Sequence, residues 1–99
     1  MRVTSPGEGP WKKNSGQVVS WDCVECSSDE DVIVRIIQII PYFHDYREVF
    51  EDYGKNANTG HLDFTIGEDW DENSQYFAEV SLKDNPHVSA DGVIFGIEN

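Results

Sequence analysis

Ninety-nine residues carry 19 Asp and Glu against 7 Lys and Arg, for a formal charge of -12 and a pI near 4.3. Phosphate backbones and anionic lipid surfaces are bound through displaced counterions and polybasic segments, so this balance argues against direct nucleic-acid or membrane binding. The length fits one domain with a single modest core.

Residues 1–16 are rich in Gly, Pro and Ser and show no periodicity, which reads as a flexible N-terminal arm ahead of a single domain over 17–99. From Gln17 to Cys26 the pattern alternates, with Val19, Trp21 and Cys23 on one face, as in a strand. Ser27 followed by Glu30 forms a capping-box pattern, and Asp29, Glu30 and Asp31 suit the positive end of a helix dipole. Val32, Ile33, Ile36, Ile37, Ile39 and Ile40 then cover one broad helical arc, ended by Pro41. A second helix is expected from Tyr42, Phe43, Tyr46, Val49, Phe50 and Tyr53, with Gly54 as its stop. Its opposite side places Asp45, Glu48 and Asp52 within about 60° of arc as an acidic stripe.

Alternation returns with Leu62, Phe64 and Ile66 inward and His61, Asp63 and Thr65 outward. After the loop over 67–74, Tyr76, Ala78, Val80 and Leu82 alternate with Phe77, Glu79, Ser81 and Lys83. Asp84-Asn85-Pro86 and Ala90-Asp91-Gly92 are turn signals, and Val93, Phe95 and Ile97 mark a last strand. The expected fold is α+β in the order β-α-α-β-β-β, a mainly antiparallel sheet of about four strands with two helices packed on one face.

Val, Ile, Leu and Phe number 25, enough for the chain to fold despite its charge. No apolar run approaches the ~20 residues that span a bilayer, and the N-terminus has no signal-peptide pattern. Cytoplasmic residence is the expectation, with Cys23 and Cys26 as ordinary thiols. Their CxxC spacing alternatively suits zinc or thiol exchange, yet only His44, His61 and His87 could complete a metal site, and none has pair spacing. Asp69, Asp71 and Asn73 mimic the opening of a calcium loop, but Ser74 stands where glycine is needed and Val80 where a bidentate Glu is needed. No nucleophile with an oriented base and no phosphate loop is present, so no catalytic residue, metal or cofactor is expected.

The acidic surface remains. A charge of -12 exceeds the magnitude of about 2 to 8 that keeps a small domain in solution. Carboxylates concentrate on the stripe Asp45, Glu48 and Asp52 and around Trp70, at Glu68, Asp69, Asp71 and Glu72. Such faces steer basic partners and reject wrong ones, and Trp70 is either a desolvated anchor or a loop residue closing the core. By analogy of charge and size, the expectation is a small inhibitor of a basic protein, a nuclease, toxin or nucleic-acid-binding complex, of the toxin-immunity or phage anti-CRISPR type. The alternative is an accessory domain that pairs through a sheet edge or the arm around Trp11.

Overall fold

The computed structural model covers residues 1–99 and contains nine strands and no helix, so the expected α+β fold with two helices is replaced by an all-β one. The strands are β1 (Arg2–Ser5), β2 (Trp11–Lys12), β3 (Gly16–Asp22), β4 (Val32–Ile40), β5 (Asp45–Gly54), β6 (Thr59–Thr65), β7 (Gln75–Leu82), β8 (Asn85–Asp91) and β9 (Ile97–Glu98). They form a three-stranded sheet ordered β1-β3-β6, a four-stranded sheet ordered β5-β4-β7-β8, and a parallel ribbon of β2 and β9. No helix is long and apolar enough to cross a membrane.

The first correction is at 32–40. Seven of its nine residues are β-branched, and these pack better on a pleated surface than in a helix. β4 lies at the centre of its sheet, antiparallel to β5 and to β7, with Val32, Val34 and Ile36 fully buried on one face and Ile33, Ile37 and Ile39 half-buried on the other. A strand covered on both faces reads as a continuous apolar run, and any such run paints a wide arc on a helical wheel. The Ser27 and Glu30 pairing does form, Ser27 N–H donating to Glu30 Oε1 at 2.8 Å, but it closes a turn ahead of β4 rather than a helix.

The second correction is β5. Its pairing with β4 slips by one residue, Ile36 facing Phe50 and Ile37 facing Glu48, so that Val49 is bulged out. Tyr46 and Tyr53 therefore share the outer face while Phe50, on the other side, packs at a tilt against Phe64 at 5.7 Å. One extra residue in a period-two pattern reproduced the helical spacing of four and seven.

β3, β6 and β7 fall where alternation placed them, with Val19, Trp21, Phe64, Ile66, Tyr76, Ala78 and Val80 buried between the two larger sheets. Trp21 fills the centre; its indole N–H donates to the Asn56 carbonyl at 3.0 Å, and Gly54 and Gly60 close over the ring, where a Cβ on either would lie 2.7 Å from a ring carbon. The expected last strand is shorter than drawn: Phe95 bridges Tyr76 and only Ile97–Glu98 continue as β9, while the turn signals at 84–86 and 90–92 mark the two ends of an additional strand, β8. Residues 1–16, expected as a flexible arm, supply β1 against β3 and β2 against β9, and Arg2 pairs with Asp22 at 2.7 Å. Cys23 and Cys26, expected as thiols, are joined by a disulfide, both buried beneath an exposed Val24-Glu25 turn that Asn58 Nδ2 holds through the two cysteine carbonyls.

Candidate functional site

The acidic stripe expected on a helix is not formed. On β5, Asp45 faces Ile40 and Asp52 faces Val34, so both lie on the core side of the sheet, whereas Glu48 faces Ile37 on the outer side. The carboxylates of Asp45 and Asp52 accept from the N–H of Tyr46 and Tyr53 at 2.9 and 2.8 Å.

The loop after β6 is better ordered than a protruding patch. Asp71 accepts from Asn73 N–H and from Ser74 Oγ, each at 2.9 Å, which holds its carboxyl below the usual range. Ser74 in turn accepts from the buried Gln38 Nε2 at 2.9 Å. Glu72 is held low by Lys13, whose Nζ donates to it at 2.7 Å. Trp70 is half-buried, stacked between Phe64 at 6.3 Å and Tyr76 at 5.3 Å, and Tyr76 continues the stack to Phe95 at 5.8 Å. The ring thus closes one end of the core while its rim stays open to solvent. Glu68 and Asp69 are exposed without an ion-pair partner.

Two residue sets that look independent in the sequence meet in space. Glu48 and Arg47 from the β5 bulge and Asp69, Trp70 and Asp71 from the loop line one polar cleft of about 260 Å³, with Gln38 also in its lining. A cationic side chain entering it meets three carboxylates and an indole, groups suited to charge-assisted hydrogen bonds and cation–π contact, against the one like charge of Arg47. Asp45, Asp52, Glu68 and Glu72 do not line it.

Tyr76 anchors this end of the core. Its hydroxyl donates to the Asp71 carbonyl at 2.9 Å, and burial is the main cause that pushes its pKa up to about 12. A phenol that titrates later folded than unfolded adds stability that is complete below the unfolded value of about 10 and is lost as pH rises from there toward the folded value. Urea midpoints should therefore fall between about pH 10 and 12, and Tyr76→Phe should flatten that part of the decline; identical profiles would place the loss elsewhere.

Sequence reasoning missed the outer face of the four-stranded sheet. Arg35 lies at its centre, Nε donating to Glu48 and Glu51 at 3.1 Å each and Nη1 reaching Glu79 at 3.5 Å. The pKa of Glu48 is nevertheless raised, first by its hydrogen bond with Glu51 and then by burial. Beside this cluster an open groove of about 620 Å³ is lined by Ile37, Ile39, Tyr46, Phe77 and Ile94 together with Glu79 and Asp91. The available signal was β4 itself: apolar residues at every position but Arg35 and Gln38, one set facing away from the core. Cys23, Glu25 and Cys26 bring their ligand atoms within 4.8 Å of one another, and only the reduced form of the Cys23–Cys26 pair has thiolates to offer a metal.

Comparison with protein-family models, with curated proteins and with solved structures returns no match to this chain. What the fold and surface define is an acidic all-β domain with an acidic cleft at one end of its core and an apolar groove on the outer face of one sheet.

Proposed function

We propose that this chain is a small acidic inhibitor that binds a basic nuclease or other nucleic-acid-handling protein and covers its phosphate-binding cleft. It does so as a binding protein without enzymatic activity. The observation that carries the reading is the surplus of carboxylate: of nineteen, seven lie within 4 Å of a cation, which leaves twelve without one. Self-repulsion of this kind weakens a compact domain, and a partner's Arg and Lys relieve it. Glu48, Asp69 and Asp71 around Trp70 stand in for successive phosphates, with bidentate pairs to arginine supplying the strongest contacts.

The alternative of pairing through a sheet edge or the arm has less support. β5, an edge strand, carries a bulge and five charged residues, features that discourage strand addition. Cytoplasmic residence belongs to the proposal, where the glutathione pool keeps a pair such as Cys23 and Cys26 as thiols; the disulfide is the form an oxidising compartment maintains.

The test is capture of the partner from cells that carry the gene or from their rivals, using wild type and the Asp69→Lys variant. Asp69 is exposed and pairs with no cation, so the fold is expected to persist. The variant should lose at least about tenfold in association rate, with the wild-type rate falling steeply as ionic strength rises. Equal rates for the two proteins would rule out electrostatic recognition at this cleft.

A further inference from the structure

The two sheets treat their outer faces differently. On the three-stranded sheet, Ser20 pairs with His61 and Val18 with Asp63, a polar face with Val18 as its one large apolar residue. On the four-stranded sheet, the rows across the strands are Tyr53 with Ile33 and Ser81, Glu51 with Arg35, Glu79 and Asp91, Glu48 with Ile37 and Phe77, and Tyr46 with Ile39 and Gln75. Apolar side chains dominate the Ile37 and Ile39 rows, whereas the Ile33 row ends in Ser81 and Ser89, and Tyr46 packs edge-on to Phe77 at 6.3 Å. At one end Lys83 Nζ lies over the Tyr53 ring at 5.7 Å and Ser81 is buried, while Tyr46 at the other end is 64% exposed.

The charged row is incomplete. Glu51, Arg35 and Glu79 alternate in sign across three strands, but the fourth position is Asp91, directly opposite Glu79 and without a cation within 4 Å. Like charges facing each other on neighbouring strands are destabilising, and this pair stands at the rim of the apolar groove. In the next row Ser81 Oγ is buried with no hydrogen-bond partner. Beyond the Ile39 and Tyr46 row, the hairpin tip holds Tyr42 and His44 at φ of 72° and 51°, a region bulky residues rarely adopt, and leaves Tyr42 and Phe43 95% and 77% exposed. The apolar groove and the unmatched Asp91 beside Glu79 thus share one surface, with the aromatics of the hairpin tip beyond its Tyr46 end.

We propose that this outer face is a second docking surface, which takes a partner segment carrying a lysine or arginine beside bulky apolar side chains. Its cation sits between Glu79 and Asp91 and its apolar groups lie on Ile37, Ile39, Phe77 and Ile94. A second copy of this chain is the poorer occupant, because each copy carries -12 and this face presents Glu48, Glu51, Glu79 and Asp91 against Arg35 and Lys83, whose Nζ lies 5.7 Å from the Tyr53 ring. The inference rests on the reading that the partner is basic; the two surfaces share Glu48 at their boundary, but Asp69 and Trp70 belong to the cleft alone and Phe77 and Asp91 to this face alone, so the two can fail separately.

The experiment is titration of the labelled full-length protein, followed by backbone amide shifts, with a short peptide alternating lysine and leucine and with oligolysine of equal charge. The alternating peptide should bind more tightly than oligolysine and shift Ile37, Ile39, Phe77 and Asp91. Asp91→Asn should raise the melting temperature by about 1–4 °C through relief of the like-charge pair while weakening that peptide about fivefold, opposite signs that a merely structural residue would not give. Phe77→Ser should weaken it further with oligolysine unaffected. Shifts confined to Asp69 and Asp71, with equal affinity for both peptides, would overturn the second surface and leave the charge-based reading standing. Absence of binding by either peptide would overturn both readings. A sedimenting dimer with concentration-dependent shifts at Phe77 and Ile94 would overturn the proposal by assigning the face to a second copy.

Discussion

Trp21→Ala is expected to lower the unfolding free energy by about 4 kcal/mol, within the range for deleting a buried Trp, and to bring the melting temperature down by about 20 °C for a domain of this size. The indole is 2% exposed, touches both sheets through Gly54 and Gly60, and anchors the 55–58 turn through Asn56. Its removal leaves a cavity that glycine neighbours cannot refill. Gly60→Ala should reproduce much of the loss, because its Cβ would lie 2.7 Å from Trp21 Cζ2 and 3.0 Å from the Lys55 carbonyl oxygen. Urea unfolding of both variants checks this; a loss under about 1 kcal/mol for each would mean that the two sheets do not pack on Trp21.

Trp70→Ala carries the second largest effect, a loss of about 2–3 kcal/mol, less than at Trp21 because the ring is only half-buried. It removes the middle of the stack that runs from Phe64 through Trp70 to Tyr76 and Phe95. Gly67→Ala tests the same contact from the other side, since its Cβ would come within 2.6 Å of Trp70 Cδ1. Trp70→Phe keeps the stack and should recover most of the stability. If the alanine variant were as stable as wild type, the ring would be a free surface anchor rather than the closing element of the core.

How much of this was legible in the sequence depended on how far each element's surroundings could be inferred locally. β6 and β7 each bury one face, so period-two alternation at Leu62, Phe64 and Ile66 and at Tyr76, Ala78 and Val80 carries the strand signal unaided. β4 is apolar on both faces and β5 has a bulged Val49, and both features erase alternation and imitate a helical arc. For β4 the better guide was its seven β-branched residues, since intrinsic strand preference survives where periodicity does not. β1 and β2 are short and gain their order from partners far along the chain, Asp22 for Arg2 and Ile97 for Trp11, which local composition does not reveal. The candidate site shows the same division. Asp69, Trp70 and Asp71 were recognised as a cluster, but their meeting with Glu48 required the register of β5, and the row of Glu51, Arg35, Glu79 and Asp91 required the order of all four strands.

The central claim is that carboxylates of this chain occupy the place of phosphates on a basic partner, and nucleic acid is therefore the competitor that addresses it most directly. The measurement is release of the captured partner from the immobilised protein by an unlabelled oligonucleotide at constant ionic strength, with an equal concentration of a non-nucleic polyanion as control. The account expects the oligonucleotide to displace the partner in proportion to its own affinity for it, and the control to displace far less. A partner that holds the oligonucleotide and this protein at the same time, with neither weakening the other, would contradict it.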